Sequence, residues 1–274
     1  MTAAAVTQPD AQLHLKDYLD LYGLALKRLQ SQAAYHAFQA AQASMLLRYL
    51  AGHGVELSNR ALLDLGSGIG GYSRVFGEAG ARVTSLDLMA DRISSQEYGA
   101  ALSASATAIP LADNSFDIVF CASLIEHVQQ PERVIVEIER VLKPGGICYL
   151  SFPPFYSPRG GHEYAPFHYF GEKIALRLVG RRAMKYHPEW LQDLYQVSYE
   201  PSSFAKIYAD WGLYVMTIGK ARSLIENSRL QLVDLSTRYM PVSFVRWPIL
   251  GEFLTWHVQF LLRKPDVFPA PESA

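Results

Sequence analysis

Leu62-Leu63-Asp64-Leu65-Gly66-Ser67-Gly68-Ile69-Gly70 is the stretch that decides the fold. An apolar run carries one acidic residue and passes straight into a loop with glycine at 66, 68 and 70. With no Cβ at those positions, a ligand can lie directly against the backbone. A helix is expected just after the loop, so its free N–H groups and positive dipole end face the ligand. Strand, glycine loop and helix in that order make a cradle for a nucleotide-like cofactor.

Two fingerprints overlap here. Gly66, Gly68 and Gly71 satisfy G-x-G-x-x-G, the dinucleotide pattern. Asp64, Gly66, Gly68 and Gly70 satisfy D-x-G-x-G-x-G. In a dinucleotide site the helix N-terminus faces a pyrophosphate. An acidic residue at the mouth of the loop opposes that anion and favours a cation, such as an ammonium or a sulfonium. Asp64 therefore turns the reading toward S-adenosylmethionine, which carries both. The next apolar run, Ala81-Arg82-Val83-Thr84-Ser85-Leu86, ends at Asp87. An acidic residue at the end of a second strand can accept both ribose hydroxyls. Dehydrogenases use the same device, so Asp87 speaks for an adenosine without naming the cofactor.

Further along, Pro110 to Phe120 reads as a turn followed by a buried strand. Glu126-His127-Val128 follows it. A helix opens at Pro131, the favoured first position, and carries Val134, Ile135, Ile138, Val141 and Leu142 at helical spacing. It stops at Lys143-Pro144-Gly145-Gly146. A strand over 147–152 comes next.

With these pieces in order, the chain resembles the class I S-adenosylmethionine-dependent methyltransferases of the small-molecule "type 11" group. The resemblance is strong over 58–152 and loose on both flanks. It implies an α/β fold: a Rossmann-like seven-stranded sheet with an antiparallel last strand, N-terminal helices, and a lid insertion between strands five and six. It implies cofactor contacts at Asp64, Gly66, Ser67, Gly68, Gly70, Asp87, Leu88, Ser105, Ala106 and Ser123. Ser105 is a departure, because the group usually has an acidic residue there to touch the adenine amino group. A hydroxyl still accepts one hydrogen bond.

Composition narrows the partners. Lys plus Arg total 25 and Asp plus Glu 26, for a net charge of −1, so nothing advertises nucleic acid. The N-P-P-Y signature of amino-group and nucleic-acid methylators is absent, since Cys121-Ala122-Ser123-Leu124 stands in its place. The two cysteines, Cys121 and Cys148, fall in core strands and suggest neither a disulfide framework nor a metal site. The first ten residues lack the basic and apolar regions of a secretory signal, which makes the cytoplasm the default. The apolar stretch 240–262 is interrupted by Pro241, Arg246, Pro248, Glu252 and His257, which argues against a membrane span. Surface contact with a lipid-linked substrate, and self-association, stay open.

The organisation reads as a helical cap over 1–57, a cofactor-binding core over 58–152, a substrate lid over 153–212 and closing strands over 213–274. The cap contains helices over 12–30 and 33–50. The insertion contains a turn-rich Pro/Gly loop and helices over 171–182 and 201–211. Long segments inside a compact domain tend to be functional lids. The last strands are expected at 213–219 and 255–263.

Methyl transfer is an in-line displacement for which the protein mainly supplies alignment. A hydroxyl acceptor must also lose a proton, which asks for a general base, most often His. His127, just past the fourth strand, is one candidate. His162 and His168 are the others, in a loop rich in aromatic residues. There Phe155, Tyr156, Glu163, Tyr164 and Tyr169 are candidate walls for a ring-shaped acceptor. Magnesium prefers carboxylates and water to imidazole, and no clear zinc spacing exists, so no metal is assigned. The favoured reading is O-methylation of a sugar, natural product or lipid-linked glycan. N- or C-methylation, an NAD-dependent oxidoreductase and a non-catalytic cofactor-binding partner are the alternatives.

Overall fold

The computed structural model describes residues 12–68, 70–88, 99–183, 189–190, 203–206 and 212–266. Seven strands form one sheet: β1 (Ala61–Leu65), β2 (Arg82–Asp87), β3 (Gly99–Ser103), β4 (Phe116–Ala122), β5 (Leu142–Phe152), β6 (Gln231–Thr237) and β7 (Val258–Arg263). Their order is β3-β2-β1-β4-β5-β7-β6. The first five in that order run parallel, and β7 is antiparallel to both β5 and β6. This is the Rossmann-like sheet with an antiparallel last strand that the family resemblance implies. The chain leaves β1 in one direction toward β2 and β3, and in the other toward β4. Such a reversal opens a crevice beyond the carboxyl ends of the strands.

Among the described residues the helices are α1 (Leu15–Lys27), α2 (Gln32–Gly52), α3 (Gly71–Glu78), α4 (Pro131–Val141), α5 (Glu172–Ala183), α6 (Ile218–Glu226) and α7 (Leu250–Leu254). β1 and β4 read as apolar runs, each carrying one Asp, because helices cover both faces of the sheet. Successive side chains in a strand point to opposite faces. Leu62, Phe120, Tyr149 and Leu261 meet Leu46 and Leu50 of α2 and Phe76 of α3 on one face. Leu63, Leu65, Val119, Cys121, Cys148 and Leu150 meet Val134, Ile135 and Ile138 of α4 and Ile218 and Ile225 of α6 on the other. Arg140 then ties α4 to the turn before β4, donating to the carbonyls of Ile109 and Leu111 at 2.7 Å each.

Two expectations need correction. Residues 213–219 are not the sixth strand. Leu213 and Met216 are buried, but their backbone closes loops instead of joining the sheet. The Tyr214 N–H donates to Glu126 O at 2.9 Å and the Phe155 N–H to Met216 O at 2.8 Å. Thr217 then caps α6, its hydroxyl accepting from the Lys220 N–H at 3.0 Å. The sixth strand is Gln231–Thr237, an edge strand with Leu232 and Val233 about half exposed and a register shift between Leu232 and Asp234. The second correction concerns β5, which starts at Leu142 rather than 147, so Lys143-Pro144-Gly145-Gly146 lies within it.

The helix expected over 201–211 lies largely outside the described residues. No described helix is long and apolar enough to cross a membrane. The apolar stretch 240–262 instead leads into β7, whose Val258, Phe260, Leu261 and Leu262 are fully buried inside the sheet.

Candidate active site

A cavity of about 570 Å³ lies at the carboxyl ends of β1, β2 and β4. The glycine loop forms its floor. Gly66, Gly68 and Gly70 have φ of 77°, 55° and 79°, values that favour glycine. A Cβ on Gly66 would stand 3.0 Å from Leu124 Cβ. Gly70 caps α3 in the left-handed conformation and does not line the cavity.

Most of the expected cofactor residues converge here. Gly66, Ser67, Gly68, Asp87, Leu88, Ser105, Ala106 and Ser123 all line the cavity. Asp87 ends β2 and accepts the Gly68 N–H at 2.9 Å, which fixes the loop against the strand end. Ser105 shares a 2.8 Å hydrogen bond with Thr107, another lining residue. Ser123 holds φ at 53° directly after β4, and its hydroxyl donates to His257 Nε2 at 3.2 Å.

Asp64 sits beneath the loop and is only 1% exposed. It accepts the Ser73 hydroxyl at 2.5 Å, and that hydroxyl also meets Ser85 at 2.7 Å. Asp64 thereby pins the first turn of α3 to β1 and β2. Burial pushes its carboxyl up to about 7, against the lowering effect of the Ser73 bond. Asp64 is thus part of the loop's foundation and not of the cavity wall.

The three candidate histidines separate. His127 lines the cavity. Its Nδ1 donates to Gly212 O at 2.6 Å, so the lone pair is on Nε2. Burial, then the nearby His162, pushes its imidazolium down to about 3. His162 stands behind it, ring centroids 4.9 Å apart, with φ at 49°. His168 is buried, donates from Nε2 to Phe155 O at 2.9 Å, and burial lowers its pKa. Neither His162 nor His168 lines the cavity.

The candidate acceptor walls lie outside this cavity too. Phe155 and Tyr164 belong to an apolar core with Ala175, Val179, Phe204 and Leu213. Tyr169 donates its hydroxyl to Tyr156 O at 2.8 Å on the exposed side of the loop. Glu163 is not among the lining residues.

Between the cavity and this loop lies Glu126, which is 1% exposed with both carboxyl oxygens lacking a hydrogen-bond partner among the described residues. Burial pushes it up to about 8. Its Oε1 is 3.9 Å from His127 Nε2 and 3.8 Å from His162 Nε2. One carboxylate and two imidazoles so close form a donor set suited to a divalent transition metal.

Sequence reasoning missed a second set of lining residues: Tyr35, Gln39 and Gln42 of α2, Tyr72 of α3, and Arg238 and Tyr239 just after β6. Tyr239 is held by Gln42 at 2.6 Å and by Tyr22, which donates to its carbonyl at 2.6 Å. The spacing of 35, 39 and 42 along one helix face was a readable signal. Arg238 and Tyr239 were hidden by the misplaced sixth strand.

The donor set fits S-adenosylmethionine. Asp87 stands at a strand end where a ribose would lie, beside a backbone cradle that a Cβ would fill, and the loop foundation is intact. Comparisons agree with that fit. A family model described as a methyltransferase domain matches residues 63–150. An uncharacterized methyltransferase of Mycolicibacterium paratuberculosis is 30% identical over 252 residues, covering 86% of this chain and 89% of that protein. Another, of Mycobacteroides abscessus, is 38% identical over 138 residues, 47% of this chain and 53% of that protein. The chain belongs to the methyltransferase family. The crystal structure of an S-adenosylmethionine-dependent methyltransferase from Mesorhizobium loti shares the fold, with TM-score 0.53 and 18% identity over 81% of this chain and 97% of that one.

Proposed function

We propose that this methyltransferase methylates a hydroxyl on a small molecule held in the cavity, with His127 receiving the hydroxyl proton. S-adenosylmethionine, when bound, supplies a methyl group already activated on a sulfonium. The residues that would hold it are Gly66, Ser67, Gly68, Asp87, Leu88, Ser105, Ala106 and Ser123.

The observation that carries the reading is the state of His127. It lines the cavity just past β4, and its Nδ1 is tied to Gly212 O at 2.6 Å. Its Nε2 is therefore an acceptor in a fixed ring orientation. At neutral pH the ring is uncharged, because burial holds its pKa near 3. So weak a base cannot strip a free alcohol. As the C–O bond forms, however, the hydroxyl proton becomes strongly acidic, and the imidazole then suffices. The proton arrives beside the Glu126 carboxyl, 3.9 Å from Nε2.

The acceptor would enter between the cavity and the 153–212 segment, whose return brings Gly212 onto His127 and Tyr214 into the cavity wall. The balance of lining residues, with tyrosines, glutamines and few charges, suits a neutral or weakly charged ring-bearing molecule rather than nucleic acid.

The test is transfer of labelled methyl to a panel of phenols and sugar glycosides, with matched amines as controls. We expect label on oxygen. His127→Ala should lower kcat about 10²-fold or more while leaving S-adenosylhomocysteine affinity unchanged. Label on nitrogen alone, or full activity in the variant, refutes the reading.

A further inference from the structure

The backbone of the glycine loop has little left to offer an anion. The N–H groups of Gly66 and Ser67 donate to Leu86 O at 2.8 and 3.2 Å, and that of Gly70 to Ser67 O at 2.9 Å. The Gly68 N–H is taken by Asp87 at 2.9 Å. A carboxylate entering the cavity finds these four N–H groups already donating.

Arg238 is the one Lys or Arg among the described residues that line the cavity. It is only 5% exposed. Nη2 donates to the Tyr72 hydroxyl at 2.6 Å and Nη1 to Ser151 Oγ at 3.4 Å, while Nε has no partner among the described residues. The guanidinium carbon lies 5.2 Å from the Tyr72 ring centre, 5.7 Å from that of Tyr149 and 4.9 Å from that of Tyr239. All of these neighbours are neutral. Two other cations among the described residues, buried Lys264 and partly exposed Arg140, are better served. Lys264 has the Glu139 and Leu142 carbonyls, at 2.7 and 2.6 Å, and Arg140 has Glu137 at 2.8 Å.

Burying a charge without a counter-ion is strongly unfavourable. A planar guanidinium walled by rings keeps its fork in one orientation, ready for the bidentate geometry of a carboxylate. The location adds a second argument. Arg238 touches Ser151 at the end of β5, whereas Asp87 ends β2. In the sheet order those strands are separated by β1 and β4, so their carboxyl ends stand about 14 Å apart at the usual strand spacing. The cavity thus has one acid at its ribose end and one cation at the other.

We propose that Arg238 is the carboxylate receptor of this cavity. The inference rests on the reading of the cavity as the S-adenosylmethionine site and names a binding residue within it. Two ligands bring that chemistry: the methionyl end of the cofactor, and an acceptor that is itself a small acid.

Titration calorimetry separates them. S-adenosylhomocysteine and its carboxamide are compared on the wild type, as are benzoate and benzamide on the wild type saturated with S-adenosylhomocysteine. Each is repeated on Arg238→Gln and Arg238→Lys. Methylthioadenosine, which lacks the amino-acid end, reports whether the pocket is intact. If Arg238 holds the cofactor's carboxylate, S-adenosylhomocysteine binds at least ten-fold tighter than its amide, and Arg238→Gln removes that gap without moving methylthioadenosine. If it holds the acceptor's, the first pair binds alike, while benzoate is preferred to benzamide and the preference disappears in Arg238→Gln. No preference for the acid in either wild-type pair overturns the proposal, and this comparison needs no variant to fold. A wild type that binds S-adenosylhomocysteine but shows the same acid preference in Arg238→Gln overturns it as well. Failure of the wild type to bind methylthioadenosine refutes the cofactor site itself.

Discussion

Replacing Glu126 by Gln should stabilise the protein progressively as the pH rises from 6.5 to 8. The Glu126 carboxyl is pushed up from 4.5 to about 8 by burial, with no cation beside it among its causes. Between those values the folded protein holds a proton at Glu126 that the unfolded chain has released. The native state therefore binds more protons, and stability falls with rising pH until the folded carboxyl itself ionises. Each pH unit in that window costs about 1.4 kcal/mol, flattening as the pH reaches 8. From 6.5 to 8 the loss comes to about 1.5–2 kcal/mol. The neighbouring His127 does not blur the signal. Its pKa is pushed from 6.5 down to about 3, so above 6.5 it is mostly neutral in both states. Asp64, raised to about 7, does titrate in the window, but equally in wild type and variant. Urea unfolding of wild type and Glu126→Gln at half-unit pH steps gives the difference directly. The amide brings its own constant offset, so the slope of the difference is what counts. A gap between the two proteins that stays constant from 6.5 to 8 would show that Glu126 is ionised or solvated in the folded state, and the reasoning would fail.

Other outcomes follow from the loop. Asp87→Ala should weaken S-adenosylhomocysteine about ten- to a hundred-fold, the value of a lost charged hydrogen-bond acceptor. The same change strands the Gly68 N–H, and calorimetry showing an unchanged Kd would move the ribose elsewhere. Gly66→Ala puts a side chain at φ 77° with Leu124 atoms at 3.0 Å. Denaturant unfolding should register about 1–2 kcal/mol of strain, and a variant as stable as wild type would mean that the loop readily changes conformation.

The parallel half of the sheet was legible because burial on both faces writes itself as nearly continuous apolar runs, broken only by Asp64 in Leu62 to Leu65 and unbroken in Ile118 to Cys121. The cofactor loop was legible because its glycines and Asp87 are fixed by local chain geometry. The sixth strand was not. An edge strand is half exposed, so its sequence mixes Gln231, Asp234 and Ser236 with its apolar residues, while buried Leu213 and Met216 imitate a strand without joining one. The role of Asp64 was only partly readable. Its spacing from the glycines was visible, but its bond to Ser73 depends on α3 folding back over β1. The acceptor side was the least readable, because aromatic residues such as Tyr164 look alike whether they wall a cavity or fill a core. Arg238 reaches the cavity only through the tertiary path of β6.

The Phe155–Met216 backbone bond, with Tyr214 on Glu126 just beside it, closes the chain between β5 and α6 at its neck. Everything from 156 to 215 is an excursion whose two ends are already stitched together at the rim of the sheet. Lengthening such a closed loop costs little, since the entropy of closure grows only logarithmically with length. The excursion's length can therefore change at little entropic cost while the sheet and the glycine loop stay as they are. One carbonyl, Gly212 O, must return to the same place, because it sets the tautomer of His127.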